Sequence, residues 1–204
     1  MVRRLFLIGG IILLGFSLAG CPKRIPESMI IERLPVENPM ARLLGAFSAA
    51  ESLQARASIR IDTVRSGEQM NFPLNGFILF QKPDLLRILG YHPLGVGLFD
   101  ALYRNGEFLI LIPPQKKAYI GEASQLEGLL EEAGTIQISV EKRGGSEIPT
   151  RIWIEVEEKR TRIDIRLKDV VLNPQLPEDS FQWVVPDGVD VRPITRILRG
   201  KRLE

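Results

Sequence analysis

The sequence is poor in the side chains that bind metals, cross-link chains or transfer protons. Its 204 residues include a single histidine, His92, and a single cysteine, Cys21. Zinc sites built from histidine and cysteine need three or four such ligands, and an internal disulfide needs two cysteines. Both are therefore excluded, and we expect neither a metal nor a cofactor.

The motifs of common enzymes and nucleotide-binding proteins are also missing. The sequence has no G-x-S-x-G elbow, no Walker loop and no G-x-G-x-x-G after a strand. His92 has no carboxylate near it in the sequence, and acidic pairs such as Glu155 with Glu157 fall on the polar faces of predicted elements. We interpret His92 as a solvated loop residue and the acidic pairs as surface charges, and we predict no catalytic residues.

An excess of charge of one sign is absent as well. The chain has 27 Lys plus Arg and 25 Asp plus Glu, and two of the bases, Arg3 and Arg4, lie in the first twenty residues, which hold no acid. A chain beginning at Cys21 would thus be formally neutral. Neutrality disfavours binding to nucleic acid, whereas the length suits one domain with a hydrophobic core.

The first twenty residues have the pattern of an export signal. Arg3 and Arg4 are followed by an apolar run of roughly 15 residues, which is shorter than the ~20 residues of a transmembrane helix. The run ends in Leu18-Ala19-Gly20-Cys21, which resembles a bacterial lipobox. This resemblance implies a signal peptide over residues 1–20, cleavage before Cys21 and acylation of Cys21. The alternative is an ordinary signal peptide followed by a chance thiol.

The residues after Cys21 bear on location and domain organisation. In enterobacterial sorting, Asp after the acylated cysteine retains a lipoprotein in the inner membrane, and here the position is Pro22. We therefore expect a lipid-anchored protein on the periplasmic face of the outer membrane. Residues 21–36 are rich in proline and predict a tether, residues 37–192 the domain, and residues 193–204 a basic tail that is frayed or contacts anionic lipid.

Hydrophobic periodicity divides the domain into a short helical part and a long strand-rich part. Asn38 and Pro39 predict the start of a helix that runs to about Leu53. From Gln54 the period changes to two, and the same alternation returns in residues 136–140, 152–156 and 163–167. A second helix is predicted at 124–133, and a last strand around 181–185.

These patterns predict an α+β fold with about nine to eleven antiparallel strands and two or three short helices. One face of the sheet is apolar and the other charged. So few short helices cannot cover such a wide sheet, so we expect it to curve strongly and to leave a partly filled concavity.

Several short stretches resemble the LolA/LolB superfamily. They are residues 75–88 (NGFILFQKPDLLRI), Pro93-Leu94-Gly95, Asn105-Gly106 and residues 176–191, in order over most of the chain from about residue 40. The resemblance implies an unclosed half-barrel whose concave side holds acyl chains under a lid of short helices. With the lipobox it favours a LolB-like receptor, which accepts lipoproteins and inserts them into the outer membrane. It also implies that Leu94 contacts the membrane, the alternative being a packed loop residue.

Strand parity selects the residues expected to line the concave side. Charged neighbours are assigned outward, and Glu107 sets the parity of its strand. The candidate ligand-binding residues are Ile59, Ile61, Leu86, Ile88, Phe108, Ile110, Ile152, Ile154 and Val156. A filled core gives the same alternation, so ordinary core packing is the alternative for each.

Three functions are compatible with this sequence. The first is a monomeric lipoprotein that binds acyl chains of lipoproteins or another lipid, with a soluble periplasmic lipoprotein carrier as a possible partner. The second is a non-catalytic scaffold or sensor of the same fold that docks a protein partner in the envelope. The third, an enzyme acting on envelope glycans or lipids, is least favoured because the sequence offers no nucleophile with a base.

Overall fold

The computed structural model describes residues 29–34, 39–125, 128 and 136–196. The predicted signal peptide, Cys21 and most of the predicted tether lie outside these ranges. Within them the chain forms eleven strands, an α-helix, α1 (Pro39–Gly45), further helical residues at 123–125 and 128, and three short 3₁₀ helices, Pro113–Gln115, Glu178–Phe181 and Ile194–Arg196. The strands are β1 (Met29–Leu34), β2 (Ser52–Arg65), β3 (Glu68–Gln81), β4 (Leu85–Tyr91), β5 (Gly97–Arg104), β6 (Glu107–Ile112), β7 (Lys117–Glu122), β8 (Ile136–Arg143), β9 (Arg151–Val156), β10 (Thr161–Leu172) and β11 (Asp190–Pro193).

All eleven strands belong to one open sheet. Their order is β1-β8-β9-β10-β2-β3-β4-β5-β6-β7-β11, with β1 and β11 at the two edges. Neighbouring strands are antiparallel except β7 and β11, which are parallel. The predicted open antiparallel sheet of nine to eleven strands is therefore confirmed for the described residues.

Tight turns connect the central strands. Asn105 and Gly106 have φ values of 51° and 83°, as a type I′ hairpin between β5 and β6 requires. Ser66 and Gly67, with φ of 53° and 84°, make the corresponding connection between β2 and β3. All four residues have positive φ, which glycine adopts readily and which asparagine and serine adopt in turns. Because these turns are tight, they fix the register of the two hairpins.

The α+β expectation is confirmed only in part, because the described chain is mostly sheet with few short helices. The first predicted helix ends at Gly45 and not near Leu53. Ser48 Oγ donates to Gly45 O at 2.7 Å, and this side-chain hydrogen bond takes the place of a helical backbone bond to that carbonyl. Phe47 and Ala50, which follow the helix, are buried in the core. Of the second predicted helix, residues 124, 125 and 128 are helical and the rest lies outside the described residues.

The last strand also differs from the prediction. Residues 181–185 are not a strand, and β11 lies at 190–193 instead. The Arg87 guanidinium donates to Ser180 O at 2.8 Å and to Gln182 O at 3.4 Å. The backbone there is thus bonded to a side chain of β4 and is not part of the sheet ladder.

The opposite face is charged on only part of the sheet. On β5 and β6 it carries Leu102 and Leu111, which are buried. On the same side of the sheet, Arg87 donates a hydrogen bond to Ser180 O, next to buried Phe181. The prediction of one charged face is therefore wrong for these strands. The opposite face of these strands is mixed, because it carries Asp100 and Glu107 as well as buried Leu102 and Leu111.

Candidate functional site

The nine candidate lining residues all lie on one face of the sheet. Directly paired residues on neighbouring strands point to the same face. Ile59 of β2 pairs with Ile165 of β10, and Ile165 pairs with Ile152 of β9. On the other side of the sheet, Ile88 of β4 pairs with Ala101 of β5, and Ala101 pairs with Ile110 of β6. We call this side of β9, β10 and β2 to β6 the apolar face. At a spacing of about 4.8 Å, its seven strands extend over roughly 29 Å.

Burial along the apolar face changes from one end of the strands to the other. Between Leu53 and Ile59 on β2, and at Ile152 on β9, the side chains on this face are 0–4% exposed. Two residues further along the strands, Ile61 and Ile154 are only partly buried. On β2, β9 and β10 the face is therefore filled towards Leu53 and less covered towards Ile61, whereas on β8 Ile136 and Ile138, which pair with Val156 and Ile154, are buried. We use closed end and open end for these two ends of β2, β9 and β10.

The closed end is filled by the protein's own side chains. Leu43 and Phe47 from the helical region are buried there, and the Phe47 ring lies 5.6 Å from that of Phe80. Gly76 faces Gly90 across β3 and β4, and a Cβ on Gly76 would lie 2.8 Å from Ile59 Cδ1. The glycine pair makes room for the side chains above it.

Three of the candidate residues belong to this filled region. Ile59, Leu86 and Ile152 are 0–3% exposed and form part of the main core cluster. Their surroundings match ordinary core packing, which was the alternative for each of them. Their role in ligand binding stays a prediction.

Three other candidates lie nearer the open end and are only partly buried. They pack against the main core cluster and are Ile61, Ile154 and Val156. The fourth partly buried candidate, Ile88, lies at the closed end, because it pairs with Ile78, which pairs with Ala55. The structure adds two residues that the parity argument did not select, half-buried Ile163 and Phe72, which is 41% exposed opposite Ile61. The alternation Met70, Phe72, Leu74 in the sequence is the signal that could have identified Phe72.

Phe108 and Ile110 belong to a second, smaller cluster. Phe108 packs with Tyr119 and with Ile194, which is 0% exposed, and its ring lies 4.9 Å from that of Tyr103. Ile194 sits against Gly121, where a Cβ would clash with it. This residue is part of the folded unit although it lies beyond the predicted domain end at 192.

A cleft of about 360 Å³ lies beside this second cluster. Its walls carry both charged and apolar side chains: Glu107, Phe108, Leu109, Ile120, Gly121, Glu122, Gln125 and Trp183. A second cleft of about 340 Å³, with Glu51, Lys82 and Gln175 in its lining, lies at the start of β2. Both clefts are at the closed end of the sheet.

The β4–β5 loop presents an exposed apolar tip at the open end. Gly95 N donates to His92 O at 2.7 Å and His92 N to Val96 O at 2.8 Å, and Gly95 has a φ of 88°. Leu94 at the tip is 85% exposed and Val96 is 57% exposed. Leu94 is therefore not a packed loop residue, and its contact with a membrane stays a prediction.

His92 has a local structural role in the same loop. Its Nδ1 accepts a hydrogen bond from Leu94 N at 3.2 Å, and the side chain is exposed.

Among the described residues there is no group of three or more His, Cys, Asp or Glu side chains that could hold a metal ion. In the same part of the chain, no helix is long and apolar enough to cross a membrane.

The strongest electrostatic contacts lie on the opposite face and are structural. Arg151 donates to both carboxylate oxygens of Asp164, at 2.7 and 2.5 Å, and its guanidinium carbon lies 4.6 Å from the Trp153 ring centroid. Burial raises the pKa of Asp164, but the hydrogen bond and charge of Arg151, with the charges of Arg166 and Arg162, outweigh it and lower the pKa overall. A carboxylate held in this way is a charged anchor for the sheet.

Comparison with known proteins gives structural neighbours at low sequence identity. No family model and no curated protein matches the sequence. An uncharacterised conserved protein from Thermus thermophilus aligns with a TM-score of 0.47 and 10% identity, covering 75% of this chain and 98% of that one. A LolA superfamily protein from Nitrosomonas europaea aligns with a TM-score of 0.43 and 10% identity, covering 71% and 97%. A domain from Vibrio parahaemolyticus, provisionally described as an outer membrane lipoprotein-sorting protein, has a TM-score of 0.40 and 7% identity, covering 70% and 95%.

Proposed function

We propose that the protein is a non-enzymatic, outer-membrane lipoprotein that binds an acyl chain at the open end of its apolar face. The observation that carries this proposal is the burial gradient, together with the place of Leu94. Apolar side chains that are left partly uncovered, such as Ile61, Ile154 and Phe72, lie at the same end of the sheet as the exposed loop tip.

The proposed site suits one acyl chain. The filled row of Ile59, Ile165 and Ile152 would close the site at one end, and Val156 lies four residues of strand, or about 13 Å, beyond it. Curvature of the sheet would give this strip side walls. A hydrocarbon chain gains about 0.8 kcal/mol per CH₂ group that it buries, so even a short covered length binds appreciably.

Anchor and loop give the proposed site its place in the envelope. Acylated Cys21 would hold the domain at the periplasmic face of the outer membrane, because two or three acyl chains anchor a protein firmly. Leu94 would then dip into the same bilayer beside the open end. Cargo would come from a soluble periplasmic lipoprotein carrier, and the monomeric protein would release the chain into the membrane.

Photocrosslinking tests this proposal on the complete acylated protein in lipid nanodiscs. A fatty acid with a photoactivatable group is added, and labelled residues are mapped by mass spectrometry. We expect labels on Ile61, Ile154, Val156 and Phe72, and their loss on competition with unlabelled fatty acid. The test variant Ile61→Asn should abolish labelling. The matched control Ser58→Asn, on the opposite face of β2, should leave it unchanged. Labelling confined to other surfaces would refute the proposal.

A second candidate function is favoured by a separate patch on β10. The pairing of β10 with β9 ends at Arg166, and an irregularity in β10 follows between Lys168 and Val171. Beyond Arg166 three apolar side chains are 39–52% exposed: Val170, Val171 and Leu172. A scaffold or sensor would use such a patch to dock a protein partner. It predicts no fatty-acid labelling, and capture of an envelope protein that Val171→Asp abolishes.

A further inference from the structure

The opposite face of β2 and β10 carries a group of bases around one serine. Ser58 of β2 is paired with Arg166 of β10 on this face. Lys168 and Arg56 form the next pair towards the closed end, and Arg60 lies two residues from Ser58 on the other side. Directly paired residues lie about 5 Å apart and diagonal neighbours about 7–8 Å, which is within reach of long side chains. We call these four bases and Ser58 the basic patch.

The carboxylate that Arg166 contacts is already bound by another base. Arg151 donates to both carboxylate oxygens of Asp164, at 2.7 and 2.5 Å, whereas Arg166 Nη2 lies 3.6 Å from Asp164 Oδ2. The Arg166 side chain is 52% exposed, and a guanidinium group has five N–H donors. Most of the donors of Arg166 are therefore available to a ligand.

Two further bases of the patch have no acid of their own. Arg56 binds Asp169, but Arg60 and Lys168 make no ion pair or hydrogen bond within the described part of the chain. Lys168 also lies directly opposite Arg56, and like charges in this arrangement repel each other. The next residue of β2 on this face, Asp62, marks the edge of the patch. An anion bound inside this edge would offset the repulsion.

The hydroxyl group of Ser58 lies at the centre of the patch and has no hydrogen-bond partner among the described side chains and backbone groups. The residue is half-buried. A serine hydroxyl and the charged groups of arginine and lysine can all donate to an anion. A carboxylate has two oxygens and one charge, whereas a phosphate monoester has three acceptor oxygens and nearly two charges. Three bases without a full acid partner, together with one free hydroxyl, therefore match a phosphate monoester better than a carboxylate.

We propose that Ser58, Arg60, Arg166 and Lys168 form a binding site for a phosphate monoester group, carried either by a soluble molecule or by a lipid head group. This inference goes beyond the proposed function. Ser58 and Arg60 point away from the face that carries Ile59 and Ile61, so the two sites are on different sides of the sheet. Either proposal can therefore fail while the other holds.

Isothermal titration calorimetry with glycerol 3-phosphate tests the site. The complete acylated protein is kept in dodecyl maltoside micelles, which contain neither phosphate nor charge. We expect saturable binding of glycerol 3-phosphate, and weaker binding of acetate by at least tenfold. Arg60→Gln and Arg166→Gln should each weaken glycerol 3-phosphate binding about tenfold or more, as for a lost hydrogen bond to a charged group. Ser58→Ala should weaken it about threefold.

A matched control removes the same charge from the same face outside the patch. Arg162 forms an exposed ion pair with Glu155 at 3.2 Å, one row beyond Arg60. Arg162→Gln should leave the affinity for glycerol 3-phosphate unchanged. Equal weakening by Arg162→Gln and Arg60→Gln would mean that only the general charge of the face matters, and would overturn the inference.

A structural role of the arginines predicts a different result. Melting temperatures of all variants are measured in parallel, and Lys168→Gln serves as a further variant because its exposed side chain makes no contact among the described residues. We expect Lys168→Gln to weaken binding about threefold to tenfold with an unchanged melting temperature. Unchanged binding in Lys168→Gln and Ser58→Ala together would overturn the site.

Phosphatidic acid added to the micelles separates the two sources of the phosphate. If phosphatidic acid competes with glycerol 3-phosphate, a lipid head group can occupy the site. If it does not compete, the site is assigned to the phosphate of a soluble molecule. Absence of saturable glycerol 3-phosphate binding to the wild-type protein would overturn the inference and leave the proposed acyl-chain site untouched.

Discussion

Matched truncations on β9 test whether the apolar face is filled at one end and open at the other. Ile152 and Ile154 lie on the same strand and face, two residues apart, but Ile152 is 0% exposed and Ile154 is partly buried. Ile→Ala removes the same atoms at both positions. The difference between the two costs therefore reports the local packing.

The structure sets the expected magnitudes. Ile152→Ala should destabilise the protein by about 3 kcal/mol or more, because a fully buried isoleucine loses its transfer free energy and leaves a cavity. Ile154→Ala should cost about 1 kcal/mol, because part of the side chain is already in contact with water and no closed cavity forms. Domains of this kind are stable by about 5–15 kcal/mol, so both variants should fold.

Urea unfolding followed by circular dichroism measures both costs. The midpoint shift multiplied by the slope m gives the change in unfolding free energy, provided that m is the same in the variants. The pairs Ile59 with Ile61 and Ile165 with Ile163 should repeat the pattern on β2 and β10. Equal costs of about 3 kcal/mol at both positions of each pair would mean that the open end is packed, and would refute the reasoning.

Four further predictions concern the loop, the ion pair, the glycine pair and the anchor. Leu94→Ser should weaken lipid-vesicle association of unacylated protein in flotation assays without changing its melting temperature, since the side chain is 85% exposed; an unchanged flotation would count against the loop. The folded pKa of Asp164 lies below its ordinary value of 3.8, so its stabilisation is present above that pH and is lost as pH falls through the folded pKa. Asp164→Asn should therefore cost roughly 2 kcal/mol at about pH 7 but less at about pH 3 in urea titrations, and an equal cost at both would refute the sign. Gly90→Ala should destabilise by about 1–3 kcal/mol because the Phe99 ring occupies the space of the new methyl group, and Phe99→Leu should relieve part of that cost. Cys21→Ser should abolish palmitate incorporation during expression, and persistent labelling would argue against acylation at this residue.

Strand parity was the most reliable information in the sequence. Alternation with period two fixes which side chains share a face, and hairpin turns such as Asn105-Gly106 then fix the register between strands. For this reason all nine candidate residues were placed on the same face. Their exposure could not be predicted, because it depends on how far α1 and the segment after it reach across the sheet.

The errors came from tertiary contacts between distant residues. The helix was predicted to continue past Gly45 because Phe47 and Ala50 fit a helical stripe, yet these residues reach the core from turns. Residues 181–185 looked like a strand, but Arg87, almost a hundred positions away, binds their backbone. The run Phe108-Leu109-Ile110-Leu111 did carry a usable signal, since consecutive apolar residues indicate a strand covered on both faces.

The proposed acyl-chain site, which is covered at one end and open at the other, would also set the direction in which an acyl chain is transferred. A fully enclosed chain of sixteen carbons would gain about 12 kcal/mol over water, as much as in a bilayer, and would leave slowly. The open end, where Ile61 and Ile154 remain partly exposed, covers only part of such a chain. In the proposed function the chain would be bound tightly enough to be taken from water but less tightly than by the membrane that Leu94 would contact. Its free energy would then fall at each step towards the bilayer, so delivery would need no energy source beyond the hydrophobic effect.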